Sequence, residues 1–257
     1  MKNKTLGFIG GGRITRIFLQ AFANKKQSFA SIIVFDTNQE VLSSLKQEFP
    51  QIQIAGSANE AARQDMVFIA LHPPAIMDTL EMIREDLTVS SIVVSLAPKI
   101  SIEKISQKLG VSNIVRLIPN ATSYINEGFN PVCFAAEMTP PMKASILEML
   151  LLLGHTFEVE EHKLESYAII SAMLPTYFWF QWEELREIGH SIGLNNEESQ
   201  DAIYETMIAS LNLMFKSNLL FEKVADLIPV KPIGEYELQI KDCFRGKLIP
   251  LYEKIKP

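Results

Sequence analysis

The sequence is poor in cysteine, and this scarcity excludes several classes of protein. Among its 257 residues only Cys133 and Cys243 are cysteines, far apart and outside any C-x-x-C pair. A disulfide framework and a cysteine-based zinc site are therefore not expected, and a reducing, cytoplasmic location fits best. His155, His162 and His190 lack ligand spacing with carboxylates or with one another, so we predict no metal.

Long apolar runs and stripes of one charge are also missing. The most apolar later stretch, Tyr167 to Trp182, is interrupted by Pro175, and it is shorter than the roughly 20 residues that a membrane span requires. The opening M-K-N-K leads at once into L-G-F-I, which is too short for the apolar region of a signal peptide. Since the formal net charge is −6 and no basic stripe occurs, neither membrane nor nucleic acid is expected as a partner.

The sequence does contain a regular alternation of short β-branched runs with longer amphipathic segments, from Leu6 to about Val159. This alternation predicts an α/β fold, a Rossmann doubly wound parallel sheet with crossover helices. We expect strands near 5–9, 31–36, 52–54, 66–71, 91–95, 114–117, 131–135 and 156–159, and helices near 13–24, 38–48, 74–86, 101–109 and 139–154.

In the rest of the chain the spacing of apolar residues predicts helices only, over 161–192, 197–216 and 220–225. Gly193 ends the first of these helices, and the Asn195-Asn196 pair supplies the N-cap of the next one ahead of two acidic residues. The sequence therefore predicts two domains: a dinucleotide-binding domain over 1–159 and an all-helical substrate and dimerisation domain over 160–257.

A glycine-rich loop follows the first predicted strand. It reads Gly10-Gly11-Gly12, and Arg13, Ile14 and Thr15 open the next helix. Glycine allows a turn to bring its amides and the helix N-terminus against a pyrophosphate. Thr15 stands at the third glycine of G-x-G-x-x-G and is small enough for near contact. Placed between strand and helix, the loop predicts a dinucleotide site, with a ligand-free tight turn as the alternative.

Asp36 ends the second predicted strand. An acidic side chain there accepts hydrogen bonds from the adenosine ribose hydroxyls and repels a phosphate, which favours NAD over NADP. Thr37 and Asn38 are neutral donors that suit a phosphate, so both cofactors stay open. Asp36 as the N-cap of the next helix is the alternative role.

The motifs of this chain resemble those of pyrroline-5-carboxylate reductase, the last enzyme of proline synthesis. That family has a G-F-I-G-x-G-N-M-A loop, an A-V-K-P strand end, an S-I-A-A-G-I segment, an R-x-M-P-N-T-P run followed by G-E-G, and an S-G-S-G-P-A-Y helix segment. The matching runs here are Gly7–Thr15, Ala70–Pro73, Ser95–Ile100, Arg116–Thr122 with Asn126–Gly128, and Ser171–Tyr177.

The resemblance implies an NAD(P)H-dependent oxidoreductase that reduces a C=N or C=O bond of a small carboxylate-bearing molecule. It also implies a homodimer through the C-terminal helices. The family's S-P-G-G-T-T substrate loop is replaced here by Ile228–Glu235, without paired glycines or threonines. This difference leaves open a non-catalytic dinucleotide-binding or sensing protein, or a dehydrogenase with another small substrate.

Four side chains are candidates for catalysis. His72 follows a strand and suits proton donation near neutral pH, or else is a turn residue beside two prolines. Asn120 follows Pro119 and suits a hydrogen bond to the carboxamide or the substrate, or else forms a turn. Ser171 and Thr176 on the long helix offer hydroxyls to a substrate. We expect cofactor contacts from Gly10, Gly11, Gly12, Arg13, Ile14, Asp36, Thr37, Leu71, His72, Pro73, Ala97 and Asn120.

Overall fold

The computed structural model describes residues 3–257, so Met1 and Lys2, which the predicted first domain includes, lie outside the described residues. The chain divides into two compact units. The first runs to Ala172 and also contains Tyr252–Pro257, and the second is Met173–Leu251. The boundary between residues 159 and 160, drawn between a dinucleotide-binding domain and a substrate and dimerisation domain, stays a prediction.

The first unit is built on one eight-stranded sheet with the order β3-β2-β1-β4-β5-β6-β7-β8. Every pairing is parallel except that between β6 and β7. The predicted fold class, a Rossmann sheet followed by helices, is confirmed. The strands are β1 Thr5–Ile9, β2 Ser31–Phe35, β3 Gln53–Ile54, β4 Met66–Ile69, β5 Ile92–Ser95, β6 Ile114–Leu117, β7 Gly128–Phe134 and β8 Gly154–Glu158.

Helices connect these strands. Ser57, Ser101 and Asn38 cap three of them by accepting hydrogen bonds from first-turn amides, which satisfies donors that a helix leaves unpaired. The helices of this part are α1 Arg13–Asn24, α2 Gln39–Glu48, α3 Ala58–Ala62, α4 Pro73–Ile83, α5 Ile102–Leu109, α6 Pro140–Leu150 and α7 Leu164–Tyr167.

The core lies on both sides of the central strands. Phe8 of β1 stacks on Phe68 of β4 with ring centroids 4.5 Å apart, and Phe18 of α1 meets Phe68 edge-on at 5.4 Å. These aromatic contacts add to the burial of apolar area. They hold α1 against β1 and β4, and so fix where the glycine-rich loop lies.

Three details of the first unit differ from the sequence prediction. Strand β7 is antiparallel to β6, because residues 118–127 are too few for the crossover that parallel strands need. The short helix α3 was not predicted. The predicted helix 161–192 is broken by a π-helical turn at Ala168–Ala172, since Pro175 has no amide to donate to the Ser171 carbonyl four residues earlier and its ring crowds that carbonyl.

The second unit is helical, as predicted. Within residues 173–251 the buried residues are Gly189 and Ser199, so no apolar side chain of this unit is buried by its own chain. Among residues 3–257, no helix combines the length and apolarity that crossing a bilayer requires. The helices are α8 Leu174–Ser191, α9 Asn196–Lys216, α10 Phe221–Asp226 and α11 Glu237–Ile255; α11 was not predicted.

Candidate functional site

The candidate site lies at the carboxyl edge of the sheet where β1 pairs with β2 on one side and β4 on the other. Ligands of open α/β sheets bind at such a switch point. Gly10 follows β1 with φ +106°, and a Cβ there would lie 2.3 Å from the carbonyl oxygen of Ala70 after β4. Only glycine allows the backbone of the loop to come this close to β4.

Side chains hold the glycine-rich loop in place. The Gly11 amide donates to Oδ2 of Asp36 at 2.7 Å. The buried Thr15 hydroxyl donates to the Gly10 carbonyl at 2.5 Å. Thr15, at the third glycine position of the fingerprint, therefore stabilises the loop as well as fitting beside it, a role that sequence reasoning missed.

The N-terminus of α1 has the properties of an anion site. Its N-cap is Gly12, no side chain caps it, and its first turn carries no acidic residue. A Cβ at Gly12 would meet no atom within 4 Å, so the space beside the uncapped amides is open. Arg13 is exposed at the first helical position. Free amides, the positive end of the helix dipole and a cation all favour a pyrophosphate, so the residues present fit a dinucleotide.

Asp36 is engaged on both carboxylate oxygens. Besides Gly11, it accepts from the Asn38 amide at 2.8 Å. The N-cap of α2 is Asn38, whose side chain accepts from the amides of Glu40 and Val41, so the alternative role of Asp36 as that N-cap is wrong. A carboxylate has about four lone-pair positions, so Asp36 retains acceptor capacity toward a ribose. Thr37 is exposed beside it.

The next strands bring further predicted residues to the same edge. After β4, His72 is exposed and occupies the N-cap of α4 without a side-chain cap, with Leu71 and Pro73 partly buried beside it. After β5, Ala97 is buried. Because β1, β4, β5 and β6 are neighbours in the sheet, the predicted residues after each strand line one edge.

Asn120 follows β6 and is buried. Its Nδ2 donates to the Ser171 hydroxyl at 3.2 Å and to the Ser171 carbonyl at 3.3 Å. Its Oδ1 accepts from the amide and hydroxyl of Thr122. These four bonds use the full capacity of an amide side chain, so in this state Asn120 positions Ser171. The Ser171 hydroxyl in turn donates to the Phe129 carbonyl at 3.3 Å.

A buried ion-pair cluster supports the same edge and was missed by sequence reasoning. Arg116 of β6 is 0% exposed, and its guanidinium donates to Glu165 and, at 2.9 Å, to Glu161. Glu165 is itself 1% exposed. An arginine inside a predicted buried strand was the available signal, because a buried charge requires a partner.

The remaining candidates belong to the second unit. The Thr176 hydroxyl donates to the Met173 carbonyl at 2.7 Å, within its own helix turn. Burial raises the pKa of the neighbouring Tyr177. In the altered 228–235 loop, Ile228, Val230 and Ile233 are exposed. The roles assigned to His72, Asn120, Ser171 and Thr176 stay predictions.

Comparisons with known proteins show which proteins this chain is similar to. Residues 5–99 match the family model described as NADP oxidoreductase, coenzyme F420-dependent. Pyrroline-5-carboxylate reductase of Staphylococcus epidermidis is 23% identical over 88% of this chain and 84% of its own length. The Escherichia coli enzyme of that name is 24% identical over 83% and 80%.

The fold is matched as well. The crystal structure of Plasmodium falciparum pyrroline carboxylate reductase with NADP bound has a TM-score of 0.80 at 23% identity and covers 99% of this chain and 96% of its own. The predicted resemblance and the oxidoreductase class are confirmed by these findings, and the NADP of the Plasmodium falciparum structure is in keeping with the predicted nicotinamide dinucleotide.

Proposed function

We propose that this chain, which resembles the pyrroline-5-carboxylate reductases along nearly its whole length, reduces the C=N bond of a small cyclic imine that carries a carboxylate. The observation that carries the proposal is the N-terminus of α1, which no side chain caps and which has open space beside it. It follows a loop that only glycine at position 10 allows to pass so close to β4. The ordered motifs and the named relatives support a cyclic imine with a carboxylate as the substrate class.

The proposed mechanism assigns positioning to the protein. When bound, the dinucleotide supplies the hydride that the imine carbon receives. The α1 amides and Arg13 hold the pyrophosphate, and Asp36 accepts from the ribose while fixing Gly11. Imine reduction also adds a proton to nitrogen, and the exposed imidazole of His72 after β4 is the proposed donor. Asn120 and the Phe129 carbonyl fix the Ser171 hydroxyl, whose remaining lone pair can accept a hydrogen bond from the substrate.

NAD is the proposed cofactor of the two. Asp36 presents a negative charge where the 2′-phosphate of NADP would lie. We expect Asp36→Asn, which keeps one acceptor oxygen but removes the charge, to shift the ratio of dissociation constants toward NADPH by about tenfold. Calorimetric titration of both reduced cofactors measures this ratio, and an unchanged ratio would contradict the preference.

A homodimer through the second unit is part of the proposal. Phe180 and Phe215 are 68% and 71% exposed, although they belong to aromatic-rich helices. Trp179, Trp182 and Tyr204 line a cavity of about 380 Å³ between α8 and α9. Apolar area of this extent on one unit is typical of an interface. A cytoplasmic location is also proposed, in keeping with two free thiols.

The decisive experiment measures oxidation of NADH and NADPH with pyrroline-5-carboxylate, next to calorimetric binding of each cofactor. Turnover supports the proposed reductase. Dinucleotide binding without turnover would favour the sensing protein or another substrate, in line with the altered loop 228–235. Absence of binding by both cofactors would contradict the proposal as a whole.

A further inference from the structure

Lys99, in the loop after β5, has a backbone conformation that lysine rarely adopts. Its φ is +80°, and the non-glycine residues with positive φ in the described chain are Lys26, Lys99 and Asn126. Such backbone strain persists only where the surrounding structure holds it, and it is concentrated at functional sites. The S-I-A-A-G-I motif has glycine at this position, so the chain carries a lysine where glycine would fit without strain.

The Arg116 cluster holds this loop at its middle and where it joins α5. The Lys99 amide donates to Oε1 of Glu165 at 3.2 Å. The Ile102 amide donates to Oε1 of Glu161 at 2.7 Å. Both acceptor oxygens also bind the guanidinium of Arg116. The buried cluster therefore fixes the backbone on which the Lys99 side chain is mounted.

The Lys99 side chain adds to the loop after β5, one of the loops at the candidate edge of the sheet, a positive charge that no salt bridge within residues 3–257 neutralises. It is exposed, and among the described residues no salt bridge includes it. Lys99 is also the sole lysine or arginine in the segments 70–75, 96–101 and 118–123, which follow β4, β5 and β6. The charge of Arg116, by contrast, is neutralised by its two carboxylates.

The sheet order places Lys99 on the substrate side of the site. Asp36 after β2 marks the adenosine half, and the α1 N-terminus after β1 marks the pyrophosphate. Strand β5 lies beyond β4, on the side of β1 away from β2. A dinucleotide that crosses the switch point therefore has its nicotinamide half toward β4 and β5, where the reacting molecule also binds.

We propose that the Lys99 ammonium binds the carboxylate of the substrate and so determines specificity for anionic molecules. This inference rests on the proposed function, because it assumes that a substrate binds beside the nicotinamide half. An exposed ammonium on a backbone fixed by buried partners supplies a charge-assisted hydrogen bond at a defined place.

The test compares L-proline with L-prolinamide, which lacks the carboxylate, by calorimetric titration into protein saturated with NAD. We expect wild-type protein to bind L-proline at least about tenfold more tightly, as for the loss of one hydrogen bond to a charged group. Lys99→Gln keeps the strained backbone but removes the charge, and it should abolish the preference. Lys99→Arg should keep it, as should Lys104→Gln, a matched change at an exposed lysine on α5.

A folding defect is distinguished by Lys99→Gly. Glycine relieves the positive φ, so this variant should unfold at a higher temperature than wild type and still lack the preference. A preference that survives Lys99→Gln would assign the carboxylate to another cation and overturn the proposal. Wild-type protein without a preference would overturn it too.

Steady-state turnover separates this proposal from the proposed function. Carboxylate preference without turnover of pyrroline-5-carboxylate would leave the role of Lys99 intact and contradict the reductase. Turnover of pyrroline-5-carboxylate with a KM that Lys99→Gln leaves unchanged would support the reductase and contradict the role of Lys99.

Discussion

Gly10 and Gly12 lie two residues apart in one loop but are glycines for different physical reasons. At Gly10 the φ of +106° and the Ala70 carbonyl leave no room for a side chain. Gly12 has φ −72° and open space around it. The fold requires the first glycine, and the second is the one that we propose the ligand requires.

This difference predicts opposite outcomes for two alanine variants. Gly10→Ala should lower the free energy of unfolding by more than about 2 kcal/mol, because it adds a clash to an unfavourable φ. Gly12→Ala should change it by less than about 1 kcal/mol, yet weaken NADH binding by about tenfold, since its methyl occupies pyrophosphate space. Urea unfolding and calorimetry measure the two quantities; normal NADH binding by Gly12→Ala would place the cofactor elsewhere.

Cys133 shows how burial sets reactivity. Burial, reinforced by the negative charge of Glu161, raises the pKa of its thiol to about 11. The thiolate is the reactive form, so in a Cys243→Ala background iodoacetamide at about pH 8 should leave the native protein unmodified and alkylate it in urea. Rapid alkylation of native Cys133 would contradict this expectation.

The same pKa shift has a consequence for stability. Since the folded-state pKa lies above the ordinary value of 9.0, the folded protein binds the thiol proton more tightly than the unfolded chain. The contribution is complete below pH 9.0 and is lost as pH rises toward about 11. Cys133→Ala should reduce the loss of unfolding free energy across that interval.

At the scale of elements, α9 begins with a capping box. The Asn195 side chain accepts from the Glu198 amide at 2.9 Å, and Glu198 accepts from the Asn195 amide at 2.8 Å. The sequence predicted a helix from residue 197 with an asparagine cap before it, and in the structure the helix begins at Asn196 with Asn195 as its cap. The cap satisfies amides of a helix that buries little apolar surface within its own chain, so we expect it to contribute measurably to stability.

Removal of this cap should destabilise the folded protein. Asn195→Ala should lower the free energy of unfolding by about 1 kcal/mol, because first-turn amides lose their acceptor. Asn195→Asp preserves an acceptor and should differ from wild type by only a few tenths. Urea denaturation followed by circular dichroism measures both variants, and equal losses would show that the cap is not the cause.

At the scale of the whole molecule, the two units differ in where their apolar side chains lie. The core of buried hydrophobic residues ends at Ile169. Beyond it the helices expose aromatic and aliphatic side chains that a water-soluble single chain rarely leaves uncovered. A second copy of the chain is the proposed cover.

The proposed dimer can be tested with one matched pair of variants. Wild-type protein should elute with twice the mass of the chain in size-exclusion chromatography with light scattering. Phe180→Asp should dissociate it, because a charge on the interface loses hydration. Val89→Asp, at a position 91% exposed in the first unit, should leave the dimer intact. A monomeric wild type would contradict the interface.

The sequence by itself determined the elements whose cause is local. The spacing of apolar residues and the position of the glycine-rich loop predicted α1 and the strands that flank it. The order of the motifs indicated the resemblance to pyrroline-5-carboxylate reductase. Helix α3 is too short to show a period, and α11 contains Pro250, which interrupts a helical pattern, so local pattern did not indicate either one.

Only the tertiary structure decided which side chains share a bond or a charge. Asn120 proved to be fully bonded to Ser171 and Thr122, 51 and 2 residues away. Arg116 binds Glu165, which is 49 residues away in the sequence, and Glu165 in turn accepts a hydrogen bond from the amide of the strained Lys99. Contacts of this separation depend on how strands and helices pack, whereas local pattern reports only a residue's own turn or strand. The sequence therefore identified the edge of the sheet where the candidate site lies, and the packing determined which side chains at that edge are not already bonded to other residues.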